Sequence, residues 1–139
     1  MNKKNKKNKG FSLVELIIVI AIMAILAGVM VPQFIKYIGQ SKKSADIQQA
    51  QVIYDAIMTQ YADDAVNGTS IAVDNAGEIT DAVSQALKIS QKAPQSKVRT
   101  GSFYYTCTED ASGTVTVTVF AGSTDATDQV APTPATDWQ

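Results

Sequence analysis

From Phe11 to Val31 the chain runs for 21 residues with only Ser12 and Glu15 as polar types, and five lysines stand just ahead, at positions 3, 4, 6, 7 and 9. As a helix rising 1.5 Å per residue, such a run is about 31 Å long, close to the roughly 30 Å hydrocarbon thickness of a bilayer. A basic flank stays on the cytoplasmic side, which puts the residues after about 34 outside. A signal anchor and a cleaved secretory signal share this length. A secretory cut needs small residues after the apolar run, and the nearest candidate, ILAG at 25–28, places Ile25 where a small residue is preferred. Glu15 is the anomaly, because a carboxylate costs roughly 2.5–3.5 kcal/mol at the centre of a membrane helix and less near its ends. Either it reaches the headgroups, or it is protonated in lipid, or something offsets its charge.

The charge balance narrows the function classes. The net charge of −1 hides the basic leader: without the first ten residues, seven cations face thirteen carboxylates, a net −6 with no patch suited to a nucleic-acid backbone. Histidine, the commonest general base and metal ligand, is absent. Cys107 is the lone cysteine, so no intrachain disulfide forms, and in a strand with no histidine it reads as a small apolar residue. The chain has no phosphate-binding glycine loop, nucleophile elbow or metal-ligand spacing, and neither catalysis nor a cofactor is expected.

Beyond Pro32 the pattern changes rather than ends. Ile35, Ile38, Ile47, Ala50, Tyr54, Ile57 and Tyr61 recur at helical spacings between polar residues such as Lys42, Lys43, Asp46 and Asp55. An element from Phe11 to about Ala62 would be a helix of roughly 75 Å, with Gly28 and Pro32 as its weak or kinked point.

The stretch KGFSLVELIIVIAIMAILAGVMVPQF resembles the amino-terminal signature of type IV prepilins and their pseudopilin relatives: a lysine-rich leader ending in glycine, then phenylalanine, then glutamate four residues later inside an apolar helix. The resemblance covers about residues 1–60. It implies cleavage between Gly10 and Phe11 by a prepilin peptidase that also methylates the new amine of Phe11, followed by polymerisation with copies of itself on a pilus assembly platform. Glycine at the cut lets the backbone enter a narrow cleft. The resemblance also gives Glu15 a role, neutralising the Phe11 amine of a neighbouring subunit and so setting the axial step. Gly28 and Pro32 become a place where the helix extends on assembly. Before assembly the protein would be a single-pass cytoplasmic membrane protein, amino terminus in, and afterwards part of an extracellular pilus.

The expected fold is α+β, a long N-terminal membrane and filament helix with a small antiparallel sheet. The divisions are a leader at 1–10, a filament-core half at 11–34, an amphipathic half at 35–62 and a globular region at 63–139. Within the last, the spacing predicts a turn at Asn67-Gly68, a short helix at about 77–87 and a strand at 97–100. A hairpin over about 102–121 follows, with Val115, Val117 and Val119 on one face and Thr114, Thr116, Thr118 and Phe120 on the other, and then a coil at 122–139 that Trp138 docks. Asp125, Asp128 and Asp137 are a candidate Ca²⁺ set, weighed against ordinary solvated carboxylates. Asn67-Gly68-Thr69 matches a glycosylation sequon. The functional readings are a type IV pilus subunit, a pseudopilin of a secretion or competence system, and a signal-anchored binding module.

Overall fold

The computed structural model describes residues 10–67 and 76–139. Gly68 and Thr69 lie outside these, and with them the expected turn and the sequon, as does the leader up to Lys9. The fold is α+β, a long N-terminal helix and a small four-stranded antiparallel sheet. The chain divides into two compact units, one ending at Ile38 and the other Gly39–Gln139. Helix α1, Leu13–Asn67, supplies the first unit and opens the second.

In the first unit the helix continues through Pro32, whose missing N–H leaves the carbonyl of Gly28 without its usual helical donor. In the second unit α1 turns Asp46, Ala50, Ile53 and Ile57 inward at steps of four, three and four, all within 1% of full burial. Ile47, Tyr54, Met58 and Tyr61 are partly buried along its flanks. The inward line differs from the stripe expected from sequence: it gains Ile53, includes a carboxylate, and leaves Ile35 and Ile38 exposed.

The sheet order is β1 (Ala76–Glu78), β2 (Phe103–Glu109), β3 (Val115–Ala121), β4 (Gln129–Ala131). β2 and β3 pair from Phe103↔Ala121 to Glu109↔Val115. Strand alternation sends Phe103, Tyr105, Cys107, Val117, Val119 and Ala121 into the core shared with Ala50, Ile53 and Ile57. Thr106↔Thr118 and Thr108↔Thr116 form cross-strand pairs of partly or fully exposed residues on the other face. At the hairpin end, Asp110 accepts the N–H groups of Ser112 (2.8 Å) and Thr114 (2.9 Å), and Gly113 takes the left-handed φ of +82° that the turn requires.

Four expectations are corrected. Residues 76–78 form edge strand β1, and helix α2 is only Asp81–Ala86, started by Thr80, whose Oγ1 accepts the N–H of Val83 at 3.4 Å. Gly77 belongs on that edge because a Cβ there would come within 3.2 Å of the Tyr105 hydroxyl. The segment 97–100 is a turn rather than a strand, leaving only an isolated bridge between Gln95 and Ser102. Phe120 is buried, next to the irregularity in β3–β4 pairing at Val119/Phe120. The expected coil 122–139 holds β4 and two 3₁₀ turns, Ala126–Asp128 and Thr136–Trp138. What orders it is burial: Val130, Ala131 and Trp138 enter the core, and the Trp138 indole N–H donates to the Thr127 carbonyl at 3.2 Å.

Candidate assembly site

At the amino end, Gly10 and Phe11 precede the first helical turn, and Phe11 is 89% exposed. Ser12 stands before the helix and Glu15 three residues on. The Ser12 N–H donates to Glu15 Oε2 at 2.9 Å, so the carboxylate folds back over an otherwise unpaired donor of the helix end. This is the returning half of a capping box, and its S-x-x-E signature was present in SLVE but unread in the sequence. A negative group in the first turn also complements the positive end of the helix. With one oxygen engaged, the carboxylate keeps acceptor capacity for a second donor.

From Leu16 to Val31 the first unit is apolar on all sides. Its large side chains from Leu13 to Tyr37 are exposed, and α1 is the helix among the described residues long and apolar enough to cross a membrane, with none of its most apolar window buried within the chain. Gly28 has open space around it, so nothing in the single chain would resist a larger residue there.

The acidic candidates do not converge. Asp128 forms an ion pair with Arg99, Oδ1 to Nε at 2.7 Å, while its Oδ2 accepts the Ser123 hydroxyl at 2.6 Å. That Oδ1 contact is a charge contact rather than an aligned hydrogen bond. Gly122 makes room for it, since a Cβ there would lie 2.7 Å from Arg99 Cβ. Asp125 contributes its backbone N–H to Ser123 Oγ at 3.2 Å, and Asp137 its backbone carbonyl to Lys43 Nζ. Among the described residues, no group of three or more His, Cys, Asp or Glu side chains is gathered as a cation would require. Cys107 is buried.

A polar cluster that sequence reading missed lies at Asp46. Its carboxylate, only 1% exposed, accepts the Ser96 hydroxyl at 2.6 Å and the N–H groups of Lys97 (2.8 and 2.9 Å) and Val98 (3.0 Å). Ser96 Oγ in turn accepts the Arg99 N–H at 2.9 Å. A carboxylate on the buried line of a helix was the available signal, because such a group must find donors.

An amphipathic helix under a small antiparallel sheet, preceded by an all-apolar helical segment, defines a pilin-like architecture. The chain carries the prokaryotic N-terminal methylation motif, matched over residues 5–31, and with the long apolar helix that follows it fits a type IV pilin or pseudopilin. Proteins of this type are structural rather than enzymatic, and the motif implies processing by prepilin peptidase and a part in pilus assembly. No curated protein and no solved structure matches the chain.

Proposed function

We propose that this chain is the structural subunit of a type IV pilus, held by its apolar helix in the cytoplasmic membrane, amino terminus in, and then drawn into an extracellular filament. The observation that carries the reading is the coincidence of the methylation motif at 5–31 with a helical segment whose apolar side chains find no burial in their own chain. Cleavage between Gly10 and Phe11 removes the lysines and leaves a methylated ammonium on Phe11, one residue before the donor that Glu15 already caps.

In the filament, Glu15 neutralises the Phe11 amine of a neighbouring subunit. The net energy of such a buried pair is small, since desolvation opposes attraction, but a subunit out of step leaves a charge uncompensated, so the pair sets register. The bond missing between Pro32 and Gly28 marks where the helix extends or bends as subunits pack.

The test is mass spectrometry of the mature amino-terminal peptide, from membranes and from material sheared off the cell surface. A peptide starting at Phe11 with one added methyl group, present in the sheared fraction, is the expected result. The same peptide confined to membranes points to a short pseudopilus instead. An intact Met1, or a start near Gly28, ends the filament reading. Glu15→Ala should leave processing and membrane insertion in place while lowering the yield of sheared filaments; normal yield would remove the registration role.

A further inference from the structure

We propose that the Gly39–Gln139 unit carries a binding site for a hexuronate, a sugar ring bearing one carboxylate, at the C-terminal end of helix α2. The site is a hollow of about 370 Å³ lined by Gln85, Lys88, Ser90 and Gln91. Small-molecule sites usually measure about 300–1,000 Å³, and most are lined by apolar side chains. This lining is polar throughout, so it offers nothing to a lipid tail or an aromatic ring. The site lies within one unit and is independent of how the chain is anchored.

The local backbone explains the turn at this place but not the lysine in it. Helix α2 ends at Ala86 with Leu87 as its cap, and the next two residues close it: the Lys88 N–H donates to the Gln85 carbonyl at 3.0 Å and the Ile89 N–H to the Ser84 carbonyl at 2.9 Å. Such a closing turn needs a left-handed residue. Lys88 supplies it at φ +56°, the one non-glycine residue with positive φ among those described. Glycine is the residue that fits there without strain. Among the described residues the Lys88 ammonium has no carboxylate partner, so its own chain gives no contact in return.

Hydrogen bonding sets what the hollow can take. Gln85 Nε2 donates to the Gln91 carbonyl at 2.9 Å, which leaves Gln85 Oε1 as an acceptor. Ser90 Oγ gives its proton to the Lys92 carbonyl, so its 3.2 Å contact with Ser84 is a donation from the Ser84 hydroxyl, and Ser90 Oγ keeps acceptor capacity. Ser84 is fully buried and fixes Ser90 from inside the unit. The Gln91 carboxamide can both donate and accept.

A ligand for this set needs a negative charge for Lys88 and protons for Gln85 Oε1 and Ser90 Oγ. Sulfate has no proton to give and would set its oxygens against both acceptors; a phosphate dianion has one proton for the two. An amino compound brings protons together with a positive charge, which Lys88 repels. A neutral sugar leaves the ammonium uncompensated. A sugar acid meets both needs, with its carboxylate on Lys88 and its hydroxyls on the acceptors. No carboxylate of the chain competes in the lining, and Asp81, in the first turn of α2, is committed to the Ala93 N–H at 2.6 Å.

The test is a titration of the ¹⁵N-labelled full chain in an uncharged polyoxyethylene detergent, which brings no sugar of its own, followed by amide shifts. Sodium galacturonate should move the amides of Gln85, Lys88, Ser90 and Gln91 saturably, with a Kd of roughly 1 mM as suits a small ligand on few contacts. Galactose, and inorganic phosphate at equal ionic strength, should bind at least about tenfold more weakly. Lys88→Gly should abolish the galacturonate shifts at an unchanged or higher melting temperature, because the left-handed turn suits glycine. Gln91→Ala should weaken binding several-fold at an unchanged melting temperature. No saturable shift below about 10 mM, galactose or phosphate binding as well as galacturonate, or full binding by Lys88→Gly overturns the proposal. A lower melting temperature for Lys88→Gly would also overturn it, by showing that the lysine serves the helix end itself.

Discussion

Two stretches of one helix follow opposite rules. From Leu16 to Val31, α1 is apolar all round and buries nothing in its own chain; among the described residues, nineteen of the twenty-one exposed large apolar side chains lie between Phe11 and Ile38. From Gly39 on, it is apolar along one line only, and that line is buried to the last atom at Ala50, Ile53 and Ile57. The first stretch is long and apolar enough to cross a membrane, where a helix is the form that pairs every backbone group within the segment. The second is a helix because a sheet covers one side of it. Buried packing thus resides in the second stretch, and on the pilus-subunit function proposed above the first stretch would serve assembly. On that proposal, moving it from lipid into a filament exchanges one apolar surrounding for another, so packing and charge register, rather than the hydrophobic effect itself, would decide how subunits associate.

This comparison breaks most readily at Ile53. Ile53→Ala removes a fully buried side chain from the centre of the core and should cost about 2–5 kcal/mol of unfolding free energy, read by thermal or urea melts of the full chain in detergent. Membrane insertion should be unchanged. A stable core with lost insertion would reverse the proposed division.

The reciprocal change is Ile20→Lys, near the middle of the apolar run. It should weaken insertion by roughly 2.5–3.5 kcal/mol, read by the fraction of chain extracted at alkaline pH, while the melt of the second unit stays where it was. A shifted melt would mean that the two stretches are energetically one.

Asp46→Ala sharpens the comparison inside the second unit. It strips the acceptor from Ser96, Lys97 and Val98 and should destabilise by about 1–3 kcal/mol, with hydrogen exchange rising first at the amides of Lys97 and Val98. Uniform loss of protection across the sheet would show that the clamp supports the whole core rather than the loop.

How much of this was legible in the sequence follows the same division. The long apolar helix and the fold class were readable because composition and short spacings specify them, whereas the cap that Glu15 makes on the Ser12 N–H went unread although its signature is local. The clamp at 96–99 was not, because its acceptor lies fifty residues upstream and looks like a surface aspartate between glutamines and alanines. Strand β1 is three residues long and contains a glycine, too short for alternation to show. The C-terminal segment reads as coil by its prolines and small polar residues, yet a single indole and the Arg99–Asp128 pair give it a fixed place. Local pattern reports local causes, and these three have distant ones.

The smallest expected effect concerns acid. Hydrogen bonds from the Ser112 side chain, and then from the Thr114 and Ser112 backbones, hold the Asp110 carboxyl below its ordinary 3.8. A carboxyl depressed in the folded state binds its proton more readily when unfolded. It therefore contributes stability that is fully present above 3.8 and is lost as pH falls through the lower folded value. Asp110 is fully exposed, so solvent screens the contribution, and the turn it organises lies at the tip of the hairpin rather than over the core. Asp110→Asn should therefore flatten a small part of the decline in melting temperature below about pH 4 and leave the neutral-pH sheet intact. Helicity of the apolar stretch, followed in detergent over the same range, should not respond to that substitution. If it did, the hairpin tip and the anchor would share a cooperative transition, and the contrast between the two stretches of α1 would have to be given up.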